Sequence, residues 1–194
     1  MKTILSLAAL TLLVSMMAFG QNTEGTSAQA LVVVTLGGGD LLVTAGDGEW
    51  GPLAPGTTYT ITADGSITPP QADAEFIVPQ NPYWEISSTD AGGAAVQVTF
   101  ALPPYFLPTD LGPGPRMPYS ALANSAGWFP EGTVEAGAIY TPFDPHVPYT
   151  LYLDADGLGV IGLGGVVTIP AIPGGDLSSE YTGTFILTGA FTGF

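Results

Sequence analysis

His146 is the chain's single histidine, so any Ser-His-Asp triad must use it. It stands in Asp144-Pro145-His146-Val147-Pro148, a turn stiffened by two prolines, and no Gly-x-Ser-x-Gly elbow occurs in the sequence. These neighbours favour a solvated loop histidine. Zinc sites of the usual kind need several His or Cys, and the chain has one His and no Cys. A glycosidase needs two carboxylates about 5–9 Å apart. With 17 acidic residues some pair always meets that spacing, so the count carries no signal. The chain is therefore read as no enzyme.

Asp154-Ala155-Asp156-Gly157 has the form in which a calcium loop begins. The glutamate such a loop needs at its twelfth position is replaced by Gly165. The plainer reading is a turn with Asp-Gly at its corner. Asp154 and Asp156 stay as weak calcium candidates, which Asp176 and Glu180 could extend into a discontinuous site. No other cofactor is expected. Gly37-Gly38-Gly39 and Gly162–Gly165 lack the following helix and Lys of a phosphate cradle, and read as hinge or bulge. Trp50, Trp84 and Trp128, with 8 tyrosines, could line a sugar platform or fill a core; the sequence leaves both open.

The charge balance removes whole classes of partner. The formal net charge is −15, and Arg116 is the only basic residue after Lys2. Such a chain cannot neutralise phosphates, so nucleic acid is excluded, and no basic patch meets an anionic membrane. Charged residues are nonetheless only 10% of the chain, against about 25% in ordinary domains. Thr, Gly and Ser do most of the surface work, as on a protein whose faces meet other protein. The absence of Cys removes disulfides, and the absence of Lys beyond Lys2 removes isopeptide crosslinks.

Residues 1–20 read as a signal peptide. Lys2 gives the positive start, Ile4–Phe19 is an apolar run, and Ala18-Phe19-Gly20 precedes a cleavage expected before Gln21. No later run reaches membrane-spanning length. The expectation is a secreted protein, extracellular or at the cell surface, with residues 21–194 as a single domain.

The elements are strands. Thr58–Ala63, Ala95–Leu102, Tyr149–Asp154 and Tyr181–Thr192 alternate apolar and polar with a period of two, the pattern of half-buried antiparallel strands. Ala30–Leu36, Leu41–Thr44, Glu75–Val78, Trp84–Ser88 and Val166–Ile169 are further expected strands. No window carries a capped helical period, beyond one helical turn at Tyr119–Ser125. Many short strands between 27 Gly and 18 Pro predict an all-β, two-sheet antiparallel β-sandwich. The segment Pro103–Pro130 breaks the pattern and is expected to be a long proline-rich excursion over the sandwich or onto a neighbour.

Two stretches resemble a known pattern. Trp50-Gly51-Pro52-Leu53-Ala54-Pro55-Gly56 with Thr57–Gly65, then Ala74-Glu75-Phe76-Ile77-Val78, is similar to the opening of the bacterial exported family catalogued as domain of unknown function 4402. Val160–Pro170 and Tyr181-Thr182-Gly183-Thr184-Phe185-Ile186-Leu187-Thr188 resemble its closing strands. The resemblance covers roughly two thirds of residues 21–194, in the same order, and leaves the proline-rich segment without a counterpart. It implies an immunoglobulin-like, pilin-like sandwich with a structural surface role, and it carries over no functional residue.

The amino end of the exported chain is the most informative feature. Gln21–Gln29 reads as a polar tail. Leu31-Val32-Val33-Val34 is apolar at every position and needs cover on both faces. The glycine triplet follows, so residues 21–39 form a candidate donor-strand arm with a hinge. Leu31, Val32, Val33 and Val34 are the subunit-interface candidates, entering a neighbour's sheet by strand addition. The rivals are an ordinary first strand, and Tyr181–Phe191 as donor. The function expected is a structural subunit of an extracellular filament, pilus or surface layer, a homopolymer of head-to-tail copies. The alternative is a monomeric secreted adhesin or carbohydrate-binding module with a surface glycan as partner.

Overall fold

The computed structural model describes residues 26–34, 41–51, 53–70, 80–88, 93–109, 116–130, 132, 134–171 and 181–192. The leader, Gly37–Gly39, the expected strand Glu75–Val78, Asp176 and Glu180 lie outside the described residues.

Within them the chain forms fifteen strands and no helix. The first five are β1 (Thr26–Val34), β2 (Leu41–Gly46), β3 (Gly48–Gly51), β4 (Thr58–Ile61) and β5 (Ile67–Thr68). Then come β6 (Tyr83–Ser88), β7 (Ala95–Ala101), β8 (Tyr105–Pro108), β9 (Met117–Ser120) and β10 (Ala126–Phe129). The last five are β11 (Thr141–Phe143), β12 (Tyr149–Tyr152), β13 (Leu158–Leu163), β14 (Gly165–Thr168) and β15 (Tyr181–Phe191).

The alternation legible in the sequence is the alternation of burial. On β15, Tyr181, Gly183, Phe185, Leu187 and Gly189 are buried while Thr184 is exposed; on β7, Val96 and Val98 are buried and Gln97 is exposed. A pleated strand turns successive side chains to opposite faces, so one apolar row goes to the core.

The strands make two sheets that pack together as a β-sandwich. The five-stranded sheet runs β11-β10-β13-β6-β2. The ten-stranded sheet runs β12-β7-β15-β8-β9-β14-β4-β5, with β1 on the other side of β15 and β3 beside β1. All pairings among the described residues are antiparallel save one: β1 lies parallel to β15.

The chain changes sheets at short corners. Gly164 joins β13 of one sheet to β14 of the other. A Cβ on Gly164 would stand 2.1 Å from the Ile61 carbonyl oxygen, so only glycine lets the two backbones pass. The Tyr119 hydroxyl donates to the Gly164 carbonyl at 2.6 Å and holds the corner.

The core lies between the sheets. Trp50, Phe106, Tyr119 and Phe185 stack or meet edge to face with ring centres 5.1–6.3 Å apart. A smaller cluster of Ala63, Phe129 and Val160 lies under Val134, Ala138 and Tyr140, which pack over the five-stranded sheet.

Three expectations need correction. The described parts of Pro103–Pro130 are no excursion: β8, β9 and β10 lie within the sheets. Tyr119–Ser125 holds no helical turn; β9 ends at Ser120, and Leu122 to Ser125 is a turn closed by the Ser125 N–H on the Leu122 carbonyl. The first strand starts at Thr26, so Thr26–Gln29 is sheet where a polar tail was expected. Its backbone finds partners on both edges there, in β15 and β3.

Candidate functional site

The expected interface residues Leu31, Val32, Val33 and Val34 lie on β1, and β1 has a partner within its own chain. The parallel ladder pairs Thr26 with Tyr181 and runs unbroken to Val34 with Gly189, placing Leu31 opposite Ile186 and Val33 opposite Thr188. On the other edge, β3 pairs only with Thr26–Ala28. Among the described residues no strand pairs with the outer edge of β1 at residues 29–34, although β1 passes close to β2. β15 is a central strand, with β8 and β7 along its opposite edge at Tyr181–Thr182 and Ile186–Phe191. The rival donor, Tyr181–Phe191, is thus held on both sides in this structure, while β1 is held mainly by β15.

The ladder ends near the start of β2. A Cβ on Gly189 would lie 3.5 Å from Leu41 Cδ2. Leu41 pairs with Ser88, whose N–H donates to the Gly157 carbonyl at 2.9 Å. Val34, Leu41, Ser88 and the Asp154–Gly157 turn therefore share one pole of the sandwich. Thr26, Tyr181, Gly51 and Pro108 mark the opposite pole.

The calcium candidates sit at that first pole, and the Asp154 carboxylate is engaged with the backbone. Asp154 Oδ1 accepts the N–H groups of Asp156 at 2.9 Å and Leu158 at 2.8 Å. The turn closes with the Gly157 N–H on the Asp154 carbonyl at 3.1 Å, and Gly157 takes a φ of 75°. This is the Asx-turn use of an aspartate. Among the described residues no three His, Cys, Asp or Glu side chains gather as a metal site.

His146 is exposed on the turn between β11 and β12. Its Nδ1 lies 2.8 Å from Asp144 Oδ1, which also accepts the His146 backbone N–H at 2.9 Å. These two hydrogen bonds, the backbone one first, hold the Asp144 carboxyl below its ordinary value. Among the described residues no hydroxyl is hydrogen-bonded to His146. The pair is oriented by these two bonds.

The tryptophans divide. Trp50 and Trp84 are fully buried, and Trp128 is half-buried, its ring over Gly159. No sugar platform can be built from the three together.

One polar cluster was not legible from residue types. The buried Asp64 carboxylate accepts from the Thr62 hydroxyl, the Ser66 N–H (3.2 Å) and hydroxyl (3.1 Å), and the Gly137 N–H (2.9 Å). Burial pushes its carboxyl up, yet the hydrogen bonds from Thr62, Gly137 and Ser66 together hold it below the ordinary value. Nearby, burial and the Asp64 charge push the Tyr140 hydroxyl up. Thr62-Ala63-Asp64-Gly65-Ser66 announces an Asx turn in sequence, but nothing announces its reach to Gly137. The cluster ties the 134–140 segment down over the small second core.

Chemically, these arrangements fix turns; the longest backbone ladder among the described residues is that of β1 on β15. No protein-family model matches the chain, and no curated protein and no solved structure is found similar to it.

Proposed function

We propose that the chain is a structural subunit of an extracellular filament, pilus or surface layer, linked to its neighbours by strand addition with β1 as the added strand. The observation that carries the reading is the parallel β1–β15 ladder, nine residues long. Strand addition draws affinity from such main-chain ladders. The covalent link from β1 to β2 is residues 35–40, which include Gly37–Gly39. Its outer edge at 29–34 is unpaired among the described residues. A copy that gives up its own β1 bares a whole edge of β15, a template for any incoming strand.

The energetics favour exchange where copies are crowded. Each ladder hydrogen bond contributes about 1 kcal/mol net whether β1 comes from its own chain or from another. The contacts are the same, so the balance rests on concentration. A strand on a short link has an effective concentration of about millimolar. Dilute chains close on themselves, and chains concentrated at a surface exchange.

Export is part of the proposal, supported by Lys2, the apolar run Ile4–Phe19 and Ala18-Phe19-Gly20. The finer assignment to an immunoglobulin-like, pilin-like sandwich is also ours, supported by the resemblance of residues 50–78 and 160–188 to the exported family and by the parallel pairing of the first and last strands. The adhesin or carbohydrate-module reading is weakened by the burial of Trp50 and Trp84.

Electron microscopy of residues 21–194, refolded from urea at about millimolar concentration, tests the proposal. Ordered filaments or sheets are expected. Isolated single sandwiches under every salt condition would refute it.

A further inference from the structure

We infer that copies exchanging β1 meet like pole to like pole, at the end that carries the Asp154–Gly157 turn, and not head to tail. The inference rests on the proposed strand exchange and follows from where the ladder ends and how short the link is.

β1 runs parallel to β15 and finishes at Val34, opposite Gly189. β2 starts at the same pole, because Leu41 packs at Gly189 and pairs with Ser88. From there β2 and β3 carry the chain to the other pole, where Gly51 pairs with Thr26. The link therefore leaves and re-enters the sandwich at one pole.

In an exchanged pair that keeps this register, the donor's Val34 sits at the acceptor's Gly189 and the donor's Leu41 stays at its own first pole. The chain from Val34 to Leu41 spans at most about 25 Å, since an extended residue covers about 3.3–3.6 Å. The slot that β1 fills, from Thr26 to Val34, measures about 26 Å at a rise of about 3.3 Å per residue. An end-to-end stack would put the donor's first pole beyond the acceptor's Thr26 end. The link would then have to cover the whole slot and the gap between the bodies, which exceeds its reach. Only an arrangement with the two first poles side by side satisfies the covalent chain.

Like poles in contact make a self-complementary joint, the two-fold kind, in which each copy can donate to the other. A reciprocal pair uses both β1 strands and both β15 edges, so β1 exchange then makes the pair, and growth of a filament or layer from such pairs must use other faces. Asp154 and Asp156 of one copy face those of its neighbour across the joint.

The test uses single-cysteine variants of residues 21–194, which carry no native Cys. Asp156→Cys marks the first pole, and Leu107→Cys, level with Thr182, marks the second; both positions are exposed. Spin labels on exchanged species, isolated by size after refolding at high concentration, report the distances between copies. Copies both labelled at residue 156 are expected to give a shorter distance than a mixed pair labelled at 156 in one copy and 107 in the other. A shorter 156-to-107 distance would establish head-to-tail order and overturn the inference, leaving strand exchange intact. If no exchanged species forms at any concentration, the exchange reading fails and the inference with it.

Discussion

The Asp64 carboxylate accepts the backbone N–H of Gly137 at 2.9 Å, fastening together two turns 73 residues apart. Through this bond the segment bearing Val134, Ala138 and Tyr140 covers Phe129 and Val160 on the five-stranded sheet. A buried acceptor with several donors is costly to lose, because its partners are left without bonds.

Asp64→Asn therefore destabilises the fold by about 1–3 kcal/mol at neutral pH, measured by urea unfolding. The pH dependence has a fixed sign. The folded carboxyl is held below its unfolded value of about 3.9. Its contribution is full above that value and is lost as pH falls through the folded one. The gap between wild type and variant should narrow on acidification below about pH 4. A gap constant from pH 7 to pH 2 would show that the charge plays no part.

Asn81 is the second internal tie. Its Oδ1 accepts the Trp50 indole N–H at 2.9 Å, and its Nδ2 donates to the Thr62 carbonyl at 2.6 Å and the Ala63 carbonyl at 2.9 Å. Asn81→Ala removes all three bonds at a buried site, the Thr62 carbonyl keeping the Gly65 N–H at 3.0 Å, and is expected to cost about 2 kcal/mol or more, since each orphaned buried group costs about 1–3 kcal/mol. Chemical denaturation read by tryptophan fluorescence measures it; a loss below about 1 kcal/mol would mean the site closes without these bonds.

The strands that face water on one side were legible, and those covered on both sides were not. β4, β7 and β15 alternate because threonine or glutamine occupies the solvent row. β13, Leu-Gly-Val-Ile-Gly-Leu, shows no alternation because the 134–140 segment covers much of its outer face, burying Val160 as well as Ile161. β8 and β9 were hidden by Pro108 and Pro118, which argue against strands until the pairing is seen. The apolar run at Leu31–Val34 identified a strand, but its partner, some 155 positions further along, leaves no local mark. The Asp154-Ala155-Asp156-Gly157 turn was readable because an Asx turn bonds within a few residues, whereas the Asp64 tie to Gly137 is long-range and was not.

A joint between like acidic poles makes exchange salt-dependent. Between about 0.1 M and about 1 M salt the screening length falls from about 10 Å to about 3 Å. The exchanged fraction of residues 21–194, followed by light scattering, should rise several-fold over that range. Asp154→Asn with Asp156→Asn should raise the low-salt fraction and flatten the dependence. Glu49→Gln, on β3 and paired with Ser27 near the opposite pole, should not. Equal effects from both changes would point to net charge alone and against a joint at the first pole.

Exchange of β1 is measured most directly by a disulfide that only two different chains can form. Gln29 and Thr184 are register partners in the β1–β15 ladder, and the chain has no cysteine of its own. One batch carries Gln29→Cys, a second carries Thr184→Cys, and the two are refolded together at about millimolar concentration and oxidised. Strand exchange predicts a 29-to-184 disulfide dimer, identified by mass spectrometry, that becomes scarce when refolding is dilute. Finding no such species at any concentration, while a chain bearing both cysteines closes the same bond within itself, would show that β1 never leaves its own sandwich.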